Sequence, residues 1–283
     1  MRMNRSKERG RKMNRNEQIW NVLKDKITAE SIKINLDLDK KPSITDSKFG
    51  GVPYWDKNIE YPVNGKGEKL YLLAQINFEK DKLGKPFPNK GMLQFFIEYD
   101  PDFVYEYYKV IYHENIDYSV TKEEVEQLGI PDGSKAIRIE KDYYDYPTAI
   151  LGEFSLKFGK DTTYMFIWDD RFQEVAEDVI QGLFDQRVSE EELDDLMDDF
   201  SDYLYDQIEF GGSRMLGYHY FTQCDPRPEE DEYALLLQID SEYLTYEKEC
   251  IMWGDAGVCN FFIKKEDLER LCFDDVVFSW DCT

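Results

Sequence analysis

The 283-residue sequence predicts an α+β fold: largely antiparallel sheets in two pseudo-repeated halves, with a helical segment between them. Three observations carry that prediction. Runs of alternating apolar, β-branched and aromatic residues, divided by Gly, Pro and Asn, dominate residues 32–168. Helical spacing takes over between Asp170 and Asp206. Blocks of the first half then recur in the last third, in the same order.

Taken along the chain, Ile19, Trp20, Leu23 and Ile27 share one face of a helix starting near Asn16, and Ile32, Ile34, Leu36 and Leu38 then alternate as in a strand. Further strands are expected at 70–78, 92–99, 107–112, 136–140, 149–158 and 164–168. Thr121 and Glu124 form a capping box that opens a short helix, closed by Gly129 and Pro131. Asp170 with Gln173 is expected to start a helix carrying Phe172, Val175, Val179, Leu183 and Phe184 at helical spacing. Ser189 and Glu192 form a second capping box, ahead of a stripe made by Leu193, Leu196, Met197, Phe200 and Leu204.

Composition narrows the function. With 59 acids against 35 bases the net charge is −24, the wrong sign for a surface that tracks phosphates, so the folded domain is not expected to bind nucleic acid. Residues 1–15 oppose this trend with seven bases and one acid, leaving −30 on the remainder. A basic disordered tail is therefore expected ahead of one domain at 16–283, duplicated internally at about 48–100 and 210–265. No apolar run exceeds five residues, too short to span a bilayer. The five cysteines, at 224, 250, 259, 272 and 282, include no CxxC pair, and no signal segment opens the chain. A cytoplasmic location follows, with the cysteines packed as small hydrophobes.

The internal echo is the most informative feature. Gly51 with Tyr54, LLAQI ending at Ile76, and GMLQFFI ending at Ile97 are answered by Gly217 with Tyr220, LLLQI ending at Ile239, and GVCNFFI ending at Ile263. The offsets are 166, 163 and 166 residues. Strand parity places Leu73, Gln75 and Asn77 on one face, with Leu236, Gln238 and Asp240 on its equivalent. Met92, Gln94 and Phe96 share a face in the next strand, as do Val258, Asn260 and Phe262. Each half thus carries two strand-borne amides, which either bond irregular backbone in the core or line a ligand site between the halves.

The blocks GVPYW, LLAQINF, PFPNKGMLQFFI, GYHYFTQCDPR, LLLQIDSE, WGDAGVCNFFI and SWDC resemble the YwqG-like family, a bacterial domain of unknown function, from about Lys48 to Cys282. The resemblance implies an α+β protein with duplicated halves and brings no reaction with it. Gln75, Gln223, Asp225, Arg227, Gln238, Trp253, Asp255 and Asn260 carry over by motif, whereas Tyr218 and His219 depart from the family's usual GYP.

Ligand-binding candidates are therefore Gln75, Gln94, Gln223, Asp225, Arg227, Gln238, Trp253, Asp255 and Asn260. Asp225 and Arg227, two residues apart on a proline-bracketed turn, suit an ion pair or an anchored anion. Asp255 sits on a glycine-bracketed turn, where Asp commonly caps backbone amides. No phosphate loop, GxGxxG, HExxH or GxSxG is present, and His113 and His219 are the only histidines. No catalytic residue or cofactor is assigned; a carboxylate reading would use Asp169, Asp225 and Asp255. Nine acids and no base lie between Ser189 and Asp206, without the glycine and alternating spacing of a metal loop, so no metal is expected. Within that run Glu190, Glu191, Asp194, Asp195, Asp198, Asp199 and Asp202 form either a solvated face or a docking surface. The expected function is that of a cytosolic, non-enzymatic binding protein, an acidic immunity-type inhibitor of a basic protein partner. The alternatives are a carboxylate-dependent hydrolase and a small-ligand sensor using the paired amides.

Overall fold

The computed structural model describes residues 14–283 apart from 101–103, 136, 141–142, 168, 185–188, 224, 226, 228–231 and 246–247. The basic segment 1–13 lies outside the described residues. What is described forms two compact units, one from residues 14–29 and 164–210 and the other from 30–163 and 211–283.

The first unit is helical. Its α1 (Arg15–Leu23) opens with a capping box, Asn14 Oδ1 accepting the Glu17 amide at 2.7 Å and Glu17 accepting the Asn14 amide at 3.0 Å. Arg15 therefore belongs to the helix and not to the tail. Ile19, Leu23 and Ile27 are buried, as their spacing requires. The next helix of this unit, α3 (Asp170–Leu183), is capped by Asp169 and not Asp170, since the Asp169 side chain accepts the Arg171 amide at 3.0 Å. Its buried stripe is Phe172, Ala176, Val179 and Ile180, while Leu183, expected inside, is exposed. The last of the three, α4 (Glu190–Gln207), carries the expected Ser189–Glu192 box and buries Leu193, Phe200 and Leu204, with Leu196 and Met197 half-buried.

A large antiparallel sheet dominates the second unit. In chain order its strands are β1 (Thr28–Asp37), β2 (Lys48–Gly50), β3 (Tyr71–Asn77), β4 (Met92–Ile97), β5 (Tyr108–His113), β8 (Glu153–Tyr164), β9 (Arg214–Met215), β10 (Tyr233–Asp240), β13 (Val258–Lys264) and β14 (Val277–Asp281). They lie side by side in the order β14-β13-β10-β9-β1-β8-β2-β3-β4-β5. Two short hairpins, β6 (Ile137–Glu140) with β7 (Tyr143–Asp145) and β11 (Glu242–Thr245) with β12 (Lys248–Ile251), stand apart from the sheet. The helix α2 (Lys122–Gln127) follows the Thr121–Glu124 box as expected, and α5 (Lys265–Glu269) follows β13.

Two strand expectations are corrected. The run at 164–168 is not a separate strand; β8 continues through Gly159 and ends at Tyr164. Residues 159–162 are exposed, so neither face of that stretch leaves a hydrophobic period in the sequence. Leu73 does not share a face with Gln75, because the β3–β4 register slips between Leu72 and Ala74; β10–β13 slips likewise between Leu235 and Leu237, separating Leu236 from Gln238. An extra residue in one strand inverts the facing of everything beyond it. Leu73, Ala74, Ile76, Leu93 and Phe95 accordingly join Leu236, Leu237, Ile239, Cys259 and Phe261 in one core, where the Phe95 and Phe261 rings meet at 4.9 Å. The opposite faces of the same strands are covered by loops, with Trp55 and Tyr61 against Phe96, and Phe221 against Phe262. Cys250 and Cys259 pack inside, whereas Cys272 is exposed and departs from the expected core placement; Cys224 lies outside the described residues.

Candidate functional site

The loop-covered face holds the amides. Gln75 and Gln94 are opposite one another in the β3–β4 register and fully buried. The Gln75 Oε1 accepts the Tyr54 amide at 2.9 Å and Gln94 Nε2 at 3.2 Å, while its Nε2 donates to the carbonyls of Ile44 and Asp46 at 2.9 and 2.7 Å. Gln94 Nε2 also donates to the Tyr54 carbonyl at 2.7 Å, which leaves its Oε1 to accept from His113 Nε2 at 2.7 Å. That bond fixes the proton on Nε2 and leaves Nδ1 buried with no hydrogen-bond partner among the described residues. Tyr54 and Trp55 meet the imidazole edge-on at 5.5 and 5.0 Å, and burial lowers its pKa to about 4.

Gln238 and Asn260 are opposite one another in β10–β13 and equally buried. The Gln238 Oε1 accepts the Tyr220 amide at 2.8 Å and its Nε2 donates to the Gly212 carbonyl at 2.7 Å; Asn260 Nδ2 donates to the Tyr220 carbonyl at 3.0 Å. In both places strand amides act as substitute backbone, holding an irregular segment that has no ladder of its own. Replacing Gln238 with Leu is expected to orphan the Tyr220 amide and the Gly212 carbonyl, lowering stability by about 1–3 kcal/mol in chemical denaturation.

A buried cation sits beside each glutamine. Lys48 faces Gln75 across β2–β3 and donates to the Val52 carbonyl at 2.6 Å and to Glu153 at 2.8 Å. Arg214 faces Gln238 across β9–β10 and donates to the carbonyls of Gly211 and Gly212.

The remaining motif residues separate into two groups. Arg227 binds Asp225 through Nε and Nη2, lies 4.9 Å from the centre of the Phe262 ring, and brings Nη2 within 3.1 Å of His219 Nε2. Burial pushes the Asp225 carboxyl upward, but its bonds to Arg227 and His219 outweigh that and hold it well below the usual carboxylate range. Pro226 and Pro228 lie outside the described residues. Gln223 is exposed, its amide donating to Asp281 at 2.8 Å and its side chain to the Cys282 carbonyl at 2.7 Å. Trp253 is buried within reach of Tyr105, Phe278 and Trp280, and Asp255 is exposed, its carbonyl accepting from Thr283.

A pocket of about 280 Å³ opens beside Trp55, between Asp56, Lys57, Asp117 and Glu124, and none of the motif residues lines it. On α4 in the other unit, Glu191, Asp194, Asp195, Asp198, Asp199 and Asp202 are all exposed, and the Glu190 side chain lies outside the described residues. Among the described residues no group of three or more His, Cys, Asp or Glu converges as a metal centre would, and no helix is long and apolar enough to cross a membrane.

Sequence reasoning missed five participants: His113, His219, Lys48, Glu153 and Arg214. The histidines had one available signal, their rarity; the Lys48–Glu153 pair, 105 residues apart in sequence, had none.

A family model described as "Domain of unknown function (DUF1963)" matches residues 47–282. No curated protein matches the chain.

Proposed function

Because the chain belongs to this family of unknown function, we propose its role from its surface and its buried groups: a cytoplasmic, non-enzymatic binding protein whose acidic face takes a basic protein partner, as an immunity-type inhibitor does. One observation carries the reading. The helix α4 buries its apolar stripe and exposes Glu191, Glu192, Asp194, Asp195, Asp198, Asp199, Asp202 and Asp206 without a single base between 189 and 206. A surface of one sign speeds encounter with an oppositely charged partner and suppresses like-charged ones. Two of the three carboxylates that a hydrolase would recruit are committed elsewhere, Asp169 to the α3 cap and Arg171, and Asp225 to Arg227; Asp255 is exposed.

Affinity capture from the native host, with mass spectrometry, tests this. A stoichiometric basic partner is expected, with association slowing steeply as salt rises. Changing Asp194, Asp195, Asp198 and Asp199 together to Lys should abolish capture, while loss of any one of them should not. Should capture survive the fourfold change, and a hydrolytic turnover assay fail on Asp255→Asn alone, the carboxylate-dependent hydrolase replaces this reading.

We also propose that the two sheet halves descend from one duplicated unit of YwqG-like type. What supports it is that bonds as well as letters correspond: Gln75 with Gln238 on the Tyr54 and Tyr220 amides, Gln94 with Asn260 on their carbonyls, and Ser47 with Ser213 accepting from Asn77 and Asp240. The register slips of β3–β4 and β10–β13 fall at corresponding places too. In this account the amides serve the fold; the small-ligand alternative would need a molecule able to displace the main chain at Tyr54 or Tyr220.

A further inference from the structure

Among the described residues of the sheet unit, seven buried side-chain oxygens have no hydrogen-bond partner, and four of them lie close in the fold: Thr222 Oγ1, Asn260 Oδ1, Ser279 Oγ and Asp281 Oδ1. They are neighbours. Asn260 is directly opposite Ser279 in β13–β14, and Val258, two residues before Asn260, is opposite Asp281, so Asn260, Ser279 and Asp281 share one face. The segment carrying Thr222 lies over that face: Asn260 Nδ2 donates to the Tyr220 carbonyl at 3.0 Å, and the Thr222 amide donates to Asp281 Oδ2 at 3.0 Å.

The matching place in the other half explains the gap. There Met92 is opposite His113, and the long Gln94 side chain crosses the diagonal to meet His113 Nε2 at 2.7 Å, acceptor to donor. Here the diagonal partners are Asn260 and Asp281, each one or more atoms shorter, and both present acceptors. Diagonal neighbours are roughly 7–8 Å apart at Cα, a distance two short side chains do not close. Two acceptors also cannot bond one another directly. Asp281 brings a charge as well, and Oδ2 meets only the backbone amides of Thr222 and Gln223, with no cationic side chain paired to it among the described residues. Neutral groups can satisfy lone pairs, but they leave uncompensated the charge of this half-buried carboxylate, whose Oδ1 is buried.

We propose that Thr222, Asn260, Ser279 and Asp281 bind a hard monovalent cation, Na⁺ or K⁺, between β13, β14 and the segment that crosses them. Carboxylate, amide carbonyl and hydroxyl oxygens are the donors hard cations take. With one formal negative charge in the set, a single positive charge makes the site neutral. Bound there, the ion ties the 220–223 segment to the last strand and orders the Gln223 end of the TQCDPR motif.

Thermal unfolding of the full chain in NaCl, KCl and tetramethylammonium chloride at equal ionic strength tests the site, the last cation being too large to enter. Na⁺ or K⁺ should stabilise saturably, the folding constant rising about tenfold when the ion is at ten times its dissociation constant; whichever salt acts identifies the ion. Asp281→Asn, which keeps an acceptor for the two amides, and Ser279→Ala should each remove the difference between salts. Should Asp281→Asn fail to fold, Ser279→Ala decides; if KCl is the stabilising salt, crystals of the unaltered protein soaked in Tl⁺ should also show an anomalous peak among the four oxygens. Identical unfolding in all three salts, a salt effect retained in both variants, or stabilisation by Ca²⁺ alone would each overturn the proposal, the first assigning the place to a structural water.

Discussion

Glu153→Ala is expected to lower the unfolding free energy by about 3–5 kcal/mol, because it strands the Lys48 ammonium inside the sheet with one carbonyl for company. Lys48 is 1% exposed, and among the described residues its only charged partner within 3 Å is Glu153, at 2.8 Å. Burial lowers the lysine's pKa, and Glu153 is what chiefly opposes that shift. Gly51 makes the approach possible: at φ +76° it adopts a conformation open to glycine, and a Cβ there would overlap the Glu153 carboxylate. Chemical denaturation measures the loss. A Lys48→Met, Glu153→Leu double variant should recover most of it, since no charge then remains to be desolvated. Sign follows from linkage: with its folded pKa depressed below that of the unfolded chain, Lys48 binds fewer protons when folded, so the Glu153→Ala defect should shrink as pH rises toward about 10. A defect indifferent to pH would mean that the loss is one of packing.

The second large effect is one of pH. Stability should fall by about 3 kcal/mol between pH 7 and pH 4 on account of His113 alone, whose pKa is about 4 in the folded protein against roughly 6.5 unfolded. The unfolded chain takes its proton first. The contribution is therefore complete above about pH 6.5, declines as pH falls, and levels off below about pH 4. The groups around the ring explain the shift: Gln94 accepts from Nε2, Tyr54 and Trp55 enclose the edges, Nδ1 has no acceptor to receive a second proton, and Asp56 acts only weakly in the other direction. Denaturation midpoints across this range, compared between the protein and His113→Phe, isolate the histidine from the many carboxylates. If both show the same slope, His113 has a route to water that its burial denies.

How much of this was legible depended on distance along the chain. The capping boxes at Thr121 and Ser189 were read correctly because donor and acceptor lie three residues apart and declare themselves by type. The Asn14–Glu17 box was equally local, but it sits at the edge of a basic run that obscured it. The strands of the echo were visible because burial on both faces makes them nearly continuous apolar runs, broken at the same places by amides. The twelve-residue β8 was cut short because its exposed middle leaves no such run. Of the candidate site residues, the amide pairs emerged from comparing the chain with itself, since identical backbone demands select identical side chains.

By itself, then, the sequence determined the α+β class, the starts of α2 and α4, the acidic character of α4 and the amide positions. These depend on near neighbours or on repetition. Tertiary structure alone decided which face each residue occupies, since a one-residue slip at Leu72 or Leu235 inverts it and leaves no compositional mark. It also decided the chemistry of the charged and polar groups. Whether Lys48 is a solvated surface charge or a buried one, whether His113 is a base or a neutral donor, and whether Asn260 and Asp281 meet a partner or each other's lone pairs are questions of desolvation. Desolvation is set by strands and loops 19 to 105 residues away in sequence, as Gln94 is from His113 and Glu153 from Lys48, and no local pattern encodes it.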